Sequence, residues 1–251
     1  MHYKGTRFIE LDLARSFAII GMLFYHILWD LDYFGYMPLD QNLYAHHTLV
    51  PIAFFLIIGI CLSISYDKDT KVFKPWLTRG GKLMAVALLI SLFTYLIFPG
   101  KPIVFGVLHC IAFSIIFSTL FMRFKYFNII IASVLISMGL YLKTLPCTMP
   151  QVPYLLIGVY PTNIWEYTID YFPIFPWFGV CLLGVGIGNI LYSAEGRKFK
   201  IPQIVLNSRI VYHISKVGKH SLKIYLIHQP LIGGTFFIWN YFSLPIPTMP
   251  F

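Results

Sequence analysis

The chain has 251 residues, of which 58% are hydrophobic and only 12% are charged, and it carries a net charge of +9. An ordinary soluble domain carries about a quarter charged residues, and the mean hydropathy here is +0.73. This composition excludes a water-soluble globular protein. It indicates an integral membrane protein built as one helical domain over residues 1–251.

Seven apolar stretches are long enough to cross a bilayer as helices, since a span needs roughly 17–25 residues. In chain order they cover residues 13–33, 46–66, 80–99, 103–123, 127–144, 167–192 and 221–243. A further apolar stretch, 150–161, is short and bounded by prolines, which predicts a re-entrant or interfacial segment, or a marginal extra helix. The predicted fold is therefore all-α, a polytopic transmembrane bundle of about seven spans.

The basic residues are distributed unevenly about these spans. With seven spans, all but two of the 19 Lys and Arg residues lie on one side of the membrane, the exceptions being Lys101 and Lys143. Because basic loops are retained in the cytoplasm, we expect a cytoplasmic N-terminus and an extracytoplasmic C-terminus in a cell membrane. The positive charge thus indicates topology rather than nucleic-acid binding, and it also suits a cytoplasmic opening that attracts a phosphate-bearing ligand.

Ionisable residues inside the spans are the first candidates for function, because they are costly to keep there. The stretch RSFAIIGMLFYHILWDLD places His26 and Asp30 four residues apart on one helix face. A carboxylate in that position can hold an imidazole in one tautomer and make it a better base. A purely structural hydrogen-bonded pair is the alternative.

Candidates from other spans have the same expected depth as this pair. His46 and His47 open the second span, His109 lies in the outer half of the fourth, and Asp170 precedes the sixth in DYFPIFPWFG. The prolines of that block break the helix. A broken helix is tolerated at membrane depth where its backbone lines a cavity, so the block is a candidate cavity lining. The alternative interpretation of the block is an aromatic belt at the membrane interface. We predict one catalytic layer near the outer leaflet.

The cytoplasmic ends of the spans supply candidates for binding a charged donor. Arg15 follows Asp12 by three residues, so the two can pair. Arg79 and Lys82 flank two glycines at the predicted start of the third span, where the N–H groups of a helix N-terminus favour a phosphate. His228 lies nearer the cytoplasmic side of the seventh span and is predicted to line a path to the outer layer.

Several blocks, in order along nearly the whole chain, resemble one family. These blocks are similar to the heparan-alpha-glucosaminide N-acetyltransferase catalytic-domain family, and they include RFIELDLARSFAIIGMLFYHILWDLDYFG, FGVLHCIAFS, DYFPIFPWFGVCLLGVGIG and VGKHSLKIYLIHQPLI. The first block also resembles the wider acyltransferase-3 superfamily. The resemblance implies a multi-pass enzyme that transfers an acyl group, typically acetyl from acetyl-CoA, to a sugar or glycan outside the cytosol. By this resemblance His26 matches a proposed acid/base, and Arg15 and Arg79 match basic positions near the donor.

The resemblance also leaves the identity of the main base open. In the lysosomal members the active histidine lies in the first non-cytosolic loop, where this chain has only His46 and His47, close to the second span. Either His26 or that pair takes the role.

We therefore predict transfer from cytosolic acetyl-CoA, or another acyl-CoA, to an extracytoplasmic sugar or lipid head group, without a metal. His26 removes the acceptor's proton, and Arg15, Arg79 and Lys82 hold the donor's phosphates. The candidate donors to the oxyanion are Trp177, Tyr25 and His109. Direct attack and an acyl-histidine intermediate are both open. The lipid bilayer is an expected partner, a homodimer is compatible with the sequence, and nucleic acid is not expected. The alternative functions are a proton-coupled carrier of a small solute and a non-catalytic accessory protein of envelope assembly.

Overall fold

The computed structural model describes residues 8–38, 48–68, 73–98 and 100–243, and most of them are helical. The α-helices are α1 (Ile9–Tyr33), α2 (Leu49–Lys68), α3 (Phe73–Ile97), α4 (Val107–Phe117), α5 (Asn128–Leu142), α6 (Val152–Ile157), α7 (Ile174–Leu191), α8 (Gln203–Asn207), α9 (Arg209–Lys219) and α10 (Ser221–Ser243). Short 3-10 helices cover Ser118–Leu120, Met122–Phe127 and Ile164–Glu166. One small antiparallel ribbon pairs β1 (Tyr192–Ser193) with β2 (Gly196–Arg197).

Five helices are long and apolar enough to cross a membrane, judged by length and composition: Ile9–Tyr33, Leu49–Lys68, Phe73–Ile97, Met122–Leu142 and Ile174–Leu191. The chain is thus a helical, multi-pass membrane protein, as expected. The expected count of about seven is not confirmed. The fourth predicted span contains a shorter apolar helix, Val107–Leu120, because the residues before it are not helical. The seventh, α10, has 23 residues but includes polar Lys223, His228 and Gln229.

The proline-bounded stretch 150–161 contains the six-residue helix α6. Proline lies in its first turn, where the missing N–H would have no helical partner in any case. Gly158 ends the helix in the left-handed conformation, with φ of 107°, as is common where a glycine follows a helix. This stretch is too short to span a bilayer, and its predicted re-entrant or interfacial position stays a prediction.

The chain divides into two compact units. Unit one comprises residues 1–54 and 200–251, and unit two comprises residues 55–199. The prediction of one domain over residues 1–251 stays a prediction.

In unit one, α1 and α9 approach each other closely at Ser16 and Gly218. The Ser16 hydroxyl accepts a hydrogen bond from the N–H of Gly218 at 2.8 Å and lies 2.6 Å from the carbonyl oxygen of Ile214. A Cβ at residue 218 would collide with the backbone carbonyl of Asp12. The two helices can therefore take this separation only because residue 218 has no side chain.

We expect Gly218→Ala to destabilise unit one, because the added methyl group meets backbone that cannot move without displacing α1. Overpacking of this kind costs typically about 1–3 kcal/mol. Gly234→Ala is the matched control, since a Cβ there meets nothing within 4 Å, and helix propensity favours alanine by up to about 1 kcal/mol. Thermal unfolding in detergent measures both variants. Equal melting temperatures for the two would contradict the close approach.

In unit two, glycines on two faces of α7 bring its neighbours close. Gly179 and Gly186 lie against α5, whereas Gly184 and Gly188 lie against α2, and a Cβ at any of the four would meet atoms of the adjoining helix at 3 Å or less. Small residues at such spacings let apolar helices pack with their backbones near each other. This packing holds α7 between α2 and α5, and the loop that carries Asp170 leads into α7.

Candidate functional site

His26 of α1 and His228 of α10 are in contact in unit one. Their ring centroids lie 4.6 Å apart with the ring planes at 83°, an edge-to-face arrangement. His26 is half-buried and His228 is only 6% exposed. The sequence singles out both histidines but assigns them to different depths. The structure brings them together.

Each of these rings is anchored through Nδ1 to a backbone carbonyl of its own helix. His26 Nδ1 donates to the carbonyl of Met22 at 2.9 Å, and His228 Nδ1 donates to the carbonyl of Tyr225. Because a carbonyl oxygen only accepts, Nδ1 carries the hydrogen, and Nε2 is the basic nitrogen of each neutral ring. Nε2 of His228 is buried and has no hydrogen-bond partner within the described ranges. Both rings are therefore held in the tautomer that can accept a proton at Nε2.

Asp30 lies one helical turn beyond His26 and pairs with Gln229. The Gln229 amide nitrogen is 3.0 Å from Oδ1 and 3.4 Å from Oδ2 of Asp30, whose residue is 1% exposed. In the structure the hydrogen bond that orients His26 is donated by its Nδ1 to the carbonyl of Met22, and Asp30 accepts its hydrogen bonds from Gln229. The predicted orienting role of Asp30 stays a prediction. Four residues form the histidine cluster: His26, Asp30, His228 and Gln229.

Sequence reasoning missed Gln229. The available signal was its position directly after His228, as a second polar residue inside an apolar stretch, which is costly in a membrane unless it is satisfied or used. A single sequence does not show that this amide lies on the face of α10 that meets Asp30.

An apolar cavity of about 340 Å³ is formed by the same two helices, α1 and α10, and the turn after α1. It is lined by Leu31, Tyr36, Thr235, Phe236 and Trp239. Leu31 follows Asp30 directly, so the cavity begins next to the histidine cluster along α1. Aromatic walls of this kind fit the apolar face of a bound organic molecule.

His109 and Asp170 lie together in unit two, at the N-terminus of α4. Asp170 Oδ2 accepts a hydrogen bond from the N–H of Val107 at 3.0 Å. The N–H of Gly106 donates to His109 Nδ1 at 3.3 Å, and His109 Nε2 lies 3.4 Å from the Ser91 hydroxyl. Both ring nitrogens of His109 are therefore hydrogen-bonded, and Asp170 serves as a helix cap. Burial raises the pKa of Asp170, which precedes α7, to about 6, and the bond from Val107 acts in the opposite direction.

These contacts predict a structural effect for Asp170. We expect Asp170→Ala to lower the free energy of unfolding by about 1 kcal/mol, the usual value for a lost N-cap, whereas Asp170→Asn keeps an acceptor oxygen and stays closer to wild type. Thermal unfolding in detergent compares the three proteins. If Asp170→Ala keeps the wild-type melting temperature but loses acyl transfer, Asp170 acts in catalysis, as the sequence suggested, and the capping account is wrong.

Trp177 lies in unit two among aromatic side chains. Its ring centroid is 5.5 Å from that of Phe55 and 4.9 Å from that of Phe172. The predicted interruption of the helix by two prolines is confirmed, since Phe175 has extended dihedrals inside α7. The role of Trp177 at an oxyanion stays a prediction.

The donor-side residues differ in their surroundings. The predicted Asp12–Arg15 pair is confirmed: Nη1 of Arg15 lies 3.0 Å from Oδ1 of Asp12. The predicted helix start at TRGGK is wrong, because α3 already begins at Phe73. Gly80 instead allows α4 to approach, since a Cβ there would meet Ile116 at 2.5 Å.

Arg79 and Lys82 are exposed side chains on α3, two turns inside the helix. Their role therefore cannot depend on the N–H groups of a helix N-terminus, and phosphate binding by their side chains stays a prediction. His46 and His47 lie outside the described residues. Within the described part of the chain, no three His, Cys, Asp or Glu side chains are placed to hold a metal ion together.

Comparison with models of known protein families gives a match over most of the chain. The family model for "heparan-alpha-glucosaminide N-acetyltransferase, catalytic" matches residues 7–230. This range includes α1 and the part of α10 that carries His228 and Gln229. The search of curated proteins finds no match, and the search of solved structures finds none.

Proposed function

Because the chain belongs to the heparan-alpha-glucosaminide N-acetyltransferase catalytic family, and is thus a membrane enzyme of the acetyltransferase type, we propose that it moves an acetyl or other acyl group from cytosolic acyl-CoA to an extracytoplasmic sugar or lipid head group. The observation that carries this proposal is the contact between His26 and His228. Two imidazoles with Nε2 as the basic nitrogen provide a proton acceptor inside an apolar helix pair, which acyl transfer requires.

The proposed step is direct attack of the acceptor on the thioester. Nε2 of His26 takes a proton from the acceptor's amine or hydroxyl. At the same time the nitrogen or oxygen of the acceptor forms a bond to the acyl carbon of the thioester. The C–S bond then breaks, and the thiolate leaves with the proton returned by the imidazolium. The products are the acylated acceptor and free CoA, so atoms and charge balance. The neutral amide of Gln229 and the carboxylate of Asp30 lie beside this pair and support a polar acceptor group.

The apolar cavity supports an acceptor with an apolar face or chain. Its lining residues lie on the turns that follow Asp30 and Gln229. A sugar ring stacks on aromatic side chains, and a lipid chain fills an apolar groove. The polar group of either acceptor would then reach the histidine cluster.

Arg79 tests the donor side of the proposal. We expect Arg79→Ala to weaken acyl-CoA binding by more than it lowers the rate at saturating donor, because a guanidinium that binds phosphate contributes to both ground and transition states. Exposed Lys74, on the same helix, gives the matched control Lys74→Ala. An unchanged apparent affinity for acyl-CoA in Arg79→Ala would remove this residue from the donor site.

Sealed inside-out vesicles containing the protein test the whole proposal. Labelled acetyl-CoA is added to the outer, formerly cytoplasmic, side with a sugar amine trapped inside. We expect release of free CoA outside and an equal amount of acetylated product inside. A carrier would instead move a solute with a proton gradient and consume no acetyl-CoA, and an accessory protein would do neither.

A further inference from the structure

Helix α9 of unit one carries a basic face beside the face that packs on α1. Its residues recur every three or four positions, so they share one side of the helix. The basic face consists of Arg209, Tyr212, Lys216 and Lys219. The buried residues of α9 are Ser215 and Gly218, and Gly218 is the residue that meets α1. The basic face is therefore a feature separate from the helix contact.

The two lysines of the basic face lie against one aromatic ring. Nζ of Lys216 is 4.7 Å and Nζ of Lys219 is 5.7 Å from the ring centroid of Tyr212, which is within the range of a cation–π interaction. The ring thus holds two positive charges near each other, and like charges repel. A phosphate group has several acceptor oxygens, so it can bind both ammonium groups and offset this repulsion.

Helix stability explains only part of this charge. Lys216 and Lys219 lie in the last turn of α9, where cations stabilise a helix, but Arg209 is its first residue, where a cation is unfavourable. The sequence has no Asp or Glu from residue 200 to residue 251. This segment supplies no acidic partner for the basic face, which is complementary to an external anion.

The contact between α9 and α1 lies where the apolar stretch of α1 begins. Ser16 of α1 accepts a hydrogen bond from the N–H of Gly218, and Arg15 precedes Ser16 directly. After Arg15 no Asp, Glu, Lys or Arg occurs until Asp30. A span enters the bilayer at such a boundary between charged and apolar residues, so lipid head groups are expected beside α9.

Exposed apolar side chains near the basic face favour a lipid over a soluble anion. Ile210, next to Arg209, is 71% exposed, and Ile204 of α8 is 85% exposed. At a bilayer surface such side chains enter the acyl region while neighbouring basic side chains reach the head groups. A soluble phosphate would leave both isoleucines in water.

We propose that the basic face of α9 binds the phosphate head group of an anionic membrane lipid. The guanidinium of Arg209 and the ammonium groups of Lys216 and Lys219 donate hydrogen bonds to the phosphate oxygens, and Ile210 contacts the acyl chain. The inference is independent of the proposed function, because no step of acyl transfer is assigned to this face.

The experiment measures binding of labelled phosphatidylglycerol and of labelled phosphatidylcholine with the same chains to the purified full chain in detergent. Wild type should bind phosphatidylglycerol more tightly, and the difference should shrink as salt is added. The double variant Arg209→Gln, Lys216→Gln should lower the affinity for phosphatidylglycerol about fivefold for each cation removed. Its affinity for phosphatidylcholine should stay unchanged.

The matched control removes the same net charge elsewhere. Lys101→Gln with Lys143→Gln changes two exposed lysines of unit two and should leave the lipid preference intact. Arg209→Gln alone keeps the test decisive if the double variant fails to fold, because a cation at a helix start does not stabilise the helix. This single variant should bind phosphatidylglycerol about fivefold more weakly.

Three results would overturn the inference. Wild type could bind both lipids equally, or the two double variants could lose the same affinity, which would show a general effect of net charge. Displacement of phosphatidylglycerol by inorganic phosphate at matched concentration would assign the basic face to a soluble anion instead of a lipid.

Discussion

His26→Ala is expected to abolish acyl transfer, lowering its rate by about 10²–10⁴-fold, the usual contribution of a general base. The reason is that the ring holds its Nδ1 hydrogen against the Met22 carbonyl and leaves Nε2 to accept the acceptor's proton. The effect should fall on the rate at saturating substrates rather than on the affinity for acyl-CoA, because the proton moves only in the transition state. Initial rates of free CoA release in the presence of acceptor measure it.

His213→Ala is the matched control for this variant. His213 also lies in unit one but is exposed on α9, and its loss should leave the rate unchanged. Both variants should keep the wild-type melting temperature within a few degrees. A His26→Ala protein that is folded and transfers acyl groups at the wild-type rate would show that the base lies elsewhere, with His46 and His47 the next candidates.

His228→Ala is expected to lower the rate by about 10²-fold or more, although the sequence placed this residue away from the reacting groups. The ring of His228 packs against His26 at 4.6 Å and has its own basic Nε2 without a partner among the described residues. Removing the His228 ring deletes a proton acceptor and also the packing contact that positions the ring of His26. The pH–rate profile should change its shape as well, because one of two interacting titratable groups is lost.

His228→Asn distinguishes these two effects. Its amide can still donate a hydrogen bond to the Tyr225 carbonyl and fill part of the space, but it cannot take up a proton near neutral pH. We expect this variant to be as slow as His228→Ala. Recovery of the wild-type rate in His228→Asn would show that the residue only supports the packing of His26.

Membrane insertion, the helical class and the breaks at proline could be read from local features. A single apolar stretch in lipid satisfies its backbone hydrogen bonds within itself only as a helix, so α1, α2, α5 and α7 were expected near their observed positions. The interruption in DYFPIFPWFG follows from the covalent geometry of proline. These features depend on residues near each other in the chain.

The composition of the histidine cluster depends on the rotation and depth of α10 against α1, which one sequence does not specify. His228 was therefore placed at another depth, and Gln229 was not singled out at all. The sequence also misled at TRGGK, whose glycines resemble a phosphate-binding helix start. In the structure, Gly80 of this stretch allows α4 to pack closely against α3. At His109 and Asp170, polar residues typical of an active site have structural partners at the start of α4.

A double-mutant cycle on His26 and His228 tests the central claim most directly, namely that two histidines in contact act as one catalytic unit in acyl-CoA-dependent transfer. The acyl-transfer rate is measured for wild type, His26→Ala, His228→Ala and the double variant at saturating acyl-CoA and acceptor. We expect the double variant to be about as slow as the slower single variant, since residues that act as a unit are strongly non-additive. Losses that multiply, or a double variant that transfers at the wild-type rate, would contradict the account.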